Sequence, residues 1–110
     1  MSGYYDSEDL EAFPRISEFA PEAGKAFFDY YEKALAPGRL DERTKILIAL
    51  AVAHTEMCPY CIDSYANSCL SLGIDADVML EAIHVGAAVK AGSSLAHATQ
   101  ALKIARKKEM

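Results

Sequence analysis

Apolar side chains recur at helical spacing along most of this chain, and no stretch alternates apolar and polar residues in the two-residue rhythm of a strand. A first solid helix is expected to start at Pro21, a residue suited to the first helical turn, and to run to about Leu35. It carries Phe27, Phe28, Tyr30, Tyr31 and Leu35, and Pro37-Gly38 ends it. Asp41 has the chemistry of an N-cap for the next helix, with Glu42 acidic in the first turn. That helix, about Glu42 to Thr55, is apolar almost all round through Ile46, Leu47, Ile48, Leu50 and Val52. Such a pattern predicts burial on every side and, in so short a chain, cover by a partner subunit. Cys58 precedes Pro59, which disfavours helical geometry at Cys58 and predicts a new helix from Pro59 to about Leu72, stopped by Gly73. Asp75 then caps a helix to about Ala91, Gly92 reads as a break, and a last helix from Ser93 to Lys107 presents Leu95, Ala98, Leu102 and Ala105 on one face. Residues 1–14, with Tyr4, Tyr5 and an acidic stretch ending at Pro14, read as a loose arm with one helical turn around Asp6 to Phe13. The expected fold is all-α: an arm over residues 1–19, then a single-domain bundle of five to six helices over 20–110.

Composition narrows the function classes. The 110 residues suit one domain, and a hydrophobic fraction of 52%, rich in alanine and without Trp, suits closely packed helices. A net charge of −5 argues against a nucleic-acid partner, which demands a surplus of Lys and Arg. The basic run Lys103 to Lys108 complements the dipole of a C-terminal helix. No run reaches the roughly 18 apolar residues of a membrane span. The polar, acidic N-terminus is unlike a signal peptide, so a cytoplasmic location is expected. In that compartment cysteine pairs stay mostly reduced, and a CxxC is more often catalytic or metal-binding than a structural staple.

The pair in question is Cys58-Pro59-Tyr60-Cys61. With Pro59 opening a helix, Cys58 falls at its N-cap and Cys61 in its first turn, where free N–H groups and the macrodipole favour a thiolate. Glu56 and Asp63 oppose it by like-charge repulsion. On helix geometry Cys58 is the better thiolate and Cys61 the resolving thiol. The plain alternative is two reduced, packed cysteines. Zinc fits poorly: it wants four ligands, whereas the rest of the chain offers Cys69 and three scattered histidines, so neither a metal nor another cofactor is expected. Cys69 lies about 12 Å along the helix from Cys61, too far for a disulfide, and reads as a buried small apolar residue. His54, four residues before Cys58, could exchange protons with the thiols or simply sit at a helix C-terminus. His84 shares a stripe with Leu80 and Ala88, which points it inward or toward an interface, and His97 reads as packing. Tyr65, one turn after Cys61, could hydrogen-bond a thiolate or a bound oxygen.

Several segments together resemble the carboxymuconolactone decarboxylase and AhpD-like superfamily: Leu40 to Lys45, Leu47 to Ala53, the Cys58–Cys61 motif, Glu81 to Ala88, and Ala91 to His97. The resemblance spans about residues 20 to 102. It implies an all-helical fold assembled as a trimer or hexamer. In the AhpD-like branch it implies hydroperoxide reduction by the CxxC pair, with electrons from a dithiol carrier such as a lipoylated protein. Two positions depart from that branch, whose glutamate and histidine relay residues are replaced here by Ile46 and Tyr65. The relay activates the second cysteine, so Cys61 lacks its activator unless His54, Glu56 or His84 substitutes. The chain is also similar to a peroxidase-like subgroup with a CPYCID run, sometimes linked to arsenosugar biosynthesis. The lactone-decarboxylating branch does not use a CxxC, and the chain offers only Arg43 near the site for a substrate carboxylate.

Three readings follow. The first is an AhpD-like thiol-dependent hydroperoxide reductase with Cys58, Cys61, His54, His84, Glu56 and Tyr65 as candidate site residues. The second is a thiol–disulfide exchange protein, or one handling a thiophilic substrate such as an arsenical, with little peroxidase activity. The third is a non-catalytic binding protein on the same fold.

Overall fold

The computed structural model describes residues 5–109, which leaves Tyr4 outside the described part. Among the described residues there are five α-helices and no strand: α1 (Ser7–Ala12), α2 (Pro21–Leu35), α3 (Glu42–Thr55), α4 (Pro59–Ser71) and α5 (Ala76–Glu109), with a 3₁₀ segment at Phe13–Glu18. The predicted aspartate caps form. The Asp41 carboxylate accepts from the Thr44 N–H at 2.8 Å, and Asp75 accepts from the Val78 N–H at 3.1 Å. Each satisfies an amide that the first turn leaves without a helical partner. Two lysines act at the opposite poles. Lys45 Nζ donates to the carbonyls of Ala34 and Ala36, closing α2, and Lys90 Nζ donates to the Thr55 carbonyl, closing α3.

The core lies where α3 meets α4 and the first half of α5. Leu50, Ala53, Tyr65, Cys69 and Ile74 are buried, with Leu47, Ile62, Met79 and Ile83 packed around them. Fully burying side chains such as Leu50 and Ile74 stabilises by roughly 1.5–3 kcal/mol each. The reading of Cys69 as a small buried residue is correct: it is 0% exposed, and burial raises its thiol pKa.

Two expectations are corrected, those for Gly92 and for the N-terminal segment. Gly92 does not break the last segment, and α5 is one helix of 34 residues. An interior glycine costs only about 1 kcal/mol relative to alanine, too little against neighbours such as Ala87, Ala88, Ala91 and Ala96. The α3 helix, expected to have a partner subunit over part of its surface, keeps one side open in the single chain. Leu50 faces the core at 1% exposure, whereas Ile48 and Val52 stay about half exposed on the other side (49% and 51%). Finally, the N-terminal segment is not loose. Its helical turn forms as expected, capped by Asp6 accepting from the Glu8 N–H, but the segment then continues through the 3₁₀ turn and packs on α4 and α2. Phe13 sets its ring edge-to-face against Phe28 at 5.1 Å. Ser17 sits directly on Gly24, where an added Cβ would lie 2.2 Å from the serine Cβ.

Candidate functional site

The thiols stand at the junction of α3 and α4. The α3 helix ends at Glu56, and Met57 then adopts a left-handed backbone at φ 53°. Two bonds close the exit: Met57 N–H to the His54 carbonyl and Cys58 N–H to the Ala53 carbonyl, both 3.1 Å. This is a Schellman motif with methionine where glycine is usual. The chain leaves it extended at Cys58 (φ −100°, ψ 102°), the geometry required of an N-cap before Pro59. Cys58 Sγ accepts the Cys61 N–H at 3.3 Å, so the thiol performs the capping usually given to Ser or Asp.

The two sulfurs are 2.7 Å apart and both cysteines are free. No large backbone movement is therefore needed to bring them to disulfide distance. Burial, and then the hydrogen bond with Cys58, push the Cys61 thiol up to about 11. Cys61 holds its proton at neutral pH, and Cys58 Sγ is the sulfur that meets an amide of the α4 N-terminus.

Cys61 and Tyr65 form a partition between two cavities. On one side, α2, α3 and α4 enclose about 450 Å³ lined by Leu35, Ile48 and Val52, with Lys45 and Glu56 as its charged members. On the other, the N-terminal segment covers about 580 Å³ lined by Leu10, Phe13, Ile16, Phe28 and Tyr31. The Tyr31 and Tyr65 hydroxyls hydrogen-bond each other, and burial raises the Tyr65 pKa, which keeps that phenol protonated.

The sequence-predicted residues separate on this geometry. Glu56 is exposed but lines a cavity together with Cys61 and Tyr65. His54 is half-buried, with its Nδ1 bonded at 2.9 Å to the Leu50 carbonyl one turn back. That carbonyl can only accept, so Nδ1 carries the proton. His84 lies exposed on α5 rather than inward, because α5 turns the stripe bearing Leu80 and His84 away from α3. His97 is also exposed, bonded to the Ser93 carbonyl of its own helix, so it is not core packing. Tyr65 sits in the core beside the site, but its hydroxyl partner is Tyr31 rather than a thiol. Ile46 packs against the core and offers no proton.

The sequence reading missed the covering segment. Tyr5 donates to the Asp63 carboxylate, which pushes the tyrosine pKa up to about 12. Tyr60, inside the CxxC, donates to Asp9 Oδ2 at 3.3 Å. The tyrosine within the motif and the acidic run at residues 6–9 were the available signals.

Comparison with known proteins gives a consistent family. Residues 21–103 match the carboxymuconolactone decarboxylase family. A Paracoccus denitrificans protein described as uncharacterized protein 4 in cox locus is 42% identical over 79 residues, covering 72% of this chain and 71% of that one. A crystal structure of a structural-genomics target from Methanobacterium thermoautotrophicum superimposes with a TM-score of 0.74 at 32% identity, covering 77% of this chain and 96% of that one.

Proposed function

The chain belongs to the carboxymuconolactone decarboxylase family, and on that premise we propose that it is a thiol oxidoreductase that reduces hydroperoxides with the Cys58–Cys61 pair. The observation that carries this reading is the pair itself: two free sulfurs 2.7 Å apart, one capping a helix N-terminus, the other in the wall of two apolar cavities. The Cys58 thiolate attacks the distal peroxide oxygen, the O–O bond breaks, and the alkoxide takes up a proton to leave as an alcohol. Cys58 is then a sulfenic acid. The Cys61 thiol attacks it, an S–S bond forms, and water leaves. A dithiol donor, such as a lipoyl group on a partner protein, restores both thiols and leaves as its own disulfide. Among the three residues that could replace the missing relay, Glu56 has the best-supported position, because it shares a cavity with Cys61. A homo-oligomer, trimer or hexamer, is part of the proposal: Val85, Val89, Leu95 and Leu102 leave apolar area on α5 exposed among the described residues.

One observation favours a second reading, thiol–disulfide exchange with little peroxidase activity. The Tyr65 hydroxyl is engaged by Tyr31, and His84 and His97 are exposed and line neither cavity that Cys61 lines, which leaves less proton-handling machinery than fast peroxide reduction uses. The test is to reduce the protein anaerobically, add one equivalent of hydroperoxide, and follow thiol loss by mass spectrometry beside free dithiothreitol. Rapid Cys58–Cys61 disulfide formation, with a sulfenic acid trapped on Cys58 in Cys61→Ser, supports the peroxidase. Oxidation no faster than dithiothreitol, together with fast reduction of the protein disulfide by a lipoyl dithiol, favours exchange.

A further inference from the structure

Residues 5–18 precede the part of the chain that matches the family, yet they wall one of the two cavities beside the thiols. Their seating is specific. Tyr5 reaches the Asp63 carboxylate, Tyr60 reaches Asp9, and the Tyr5 and Tyr60 rings meet edge-on at 4.9 Å. Phe13 packs on Phe28, and Ser17 rests on Gly24 where no side chain could stand. The space is of ordinary small-ligand size and mostly aromatic and aliphatic, with Asp9 and Ser64 as its other polar wall residues, and Cys61 forms part of its lining. Tyr31 and Tyr65 lie in the same wall with their hydroxyls bonded to each other, which leaves one of the two phenol protons free to donate to an oxygen. The opposite cavity is also mostly apolar, and none of its wall comes from the N-terminal segment.

We propose that the N-terminal segment is a specificity element, and that the cavity it roofs holds the hydrocarbon body of an organic hydroperoxide with the peroxide end at the Cys58–Cys61 pair. This rests on the peroxidase reading above, and adds which side of Cys61 the substrate body occupies and which residues select it. An aryl or branched-alkyl hydroperoxide fills this space, whereas hydrogen peroxide has no body to place there and gains nothing from it.

Gly24→Ala separates the two. The new methyl collides with the Ser17 Cβ and Cα and unseats the segment, while alanine improves α2 as a helix. In the full-length variant, kcat/KM for cumene hydroperoxide should fall at least tenfold relative to that for hydrogen peroxide, with helix content by circular dichroism unchanged. An unchanged ratio would overturn the proposal. A second measurement needs neither a variant nor turnover: titrate the reduced wild-type protein with 2-phenylpropan-2-ol, the alcohol product, and follow methyl resonances. Shifts at Leu10, Ala12 and Ile16 support the roofed cavity. Shifts confined to Leu40, Ile48 and Val52, or none at all, overturn it. If neither peroxide is consumed, the peroxidase reading fails while the titration still judges where an apolar ligand sits.

Discussion

Helices α3 and α4 end in the same pair of carbonyl-capping bonds, with Met57 left-handed in one exit and Gly73 in the other (φ 53° and 75°). The residue before each is the helix cap, Glu56 or Leu72; the residue after is Cys58 or Ile74. At the α4 exit the geometry serves packing. Glycine takes the left-handed position without strain, and Ile74 is 1% exposed in the core, its N–H bonded to the Cys69 carbonyl. At the α3 exit the same bonds deliver a thiol to the start of the next helix, with a carboxylate one position before the strained residue. One backbone solution thus ends a helix for stability in one place and aims a reactive group in the other. The use of a non-glycine residue marks the second.

The comparison breaks most readily at its third position. Ile74→Ala should cost about 2–5 kcal/mol in urea unfolding. Cys58→Ser should leave stability within about 0.5 kcal/mol while lowering peroxide consumption to that of free dithiol. A Cys58→Ser protein as unstable as Ile74→Ala would erase the distinction. At the cap position, Glu56→Gln should slow turnover by about 100-fold if that carboxylate moves the proton, with an altered pH–rate profile and no change in unfolding. Leu72→Gln should leave turnover intact.

At the left-handed position, Gly73→Ala should cost about 1–2 kcal/mol. Met57→Gly relieves strain but frees the unfolded chain, so its net effect should stay within about 1 kcal/mol. The smallest effect is a slope. Folding holds the Cys61 proton up to about 11, so the unfolded thiol ionises first as pH rises. Stability should therefore be flat at neutral pH and decline from about pH 8.5, the ordinary thiol value, up to about 11. Iodoacetamide labelling of Cys61 in the folded protein should climb across the same window. In Cys58→Ser the midpoint should come down but stay above the ordinary value, because burial outranks the partner sulfur as the cause.

Much of this was legible in the residues because it is local chemistry. Proline before a helix, aspartate at its cap, glycine after its end and the Cys58–Pro59 junction each act within a few positions. What escaped was set by distant partners. Tyr5 meets Asp63 across 58 positions, a pairing that the nearby Tyr60 and acidic run hint at but do not specify. Gly24 is explained by Ser17 lying upon it, which helical periodicity does not encode. His84 shows the limit of a stripe: a period of 3.6 groups it with Leu80 and Ala88 but does not say which way the group faces. Gly92 shows that one weak residue does not outvote a long run of good helix formers.

The length of α5 has a consequence for how the chain breathes. Its first turns share the core with α3, but residues 87–108 are exposed throughout. Apart from the Lys90 bond to the Thr55 carbonyl near its start, this stretch is held mainly by its own marginal propagation. In a dilute, isolated chain the amides of the outer half should exchange with deuterium almost as freely as frayed ends, while those near Ile83 follow global opening. Any surface that covers Val89 and Leu102 would slow that exchange in proportion to its occupancy. The outer half of α5 is therefore a built-in gauge of association, and its protection should rise with protein concentration while the inner half stays constant.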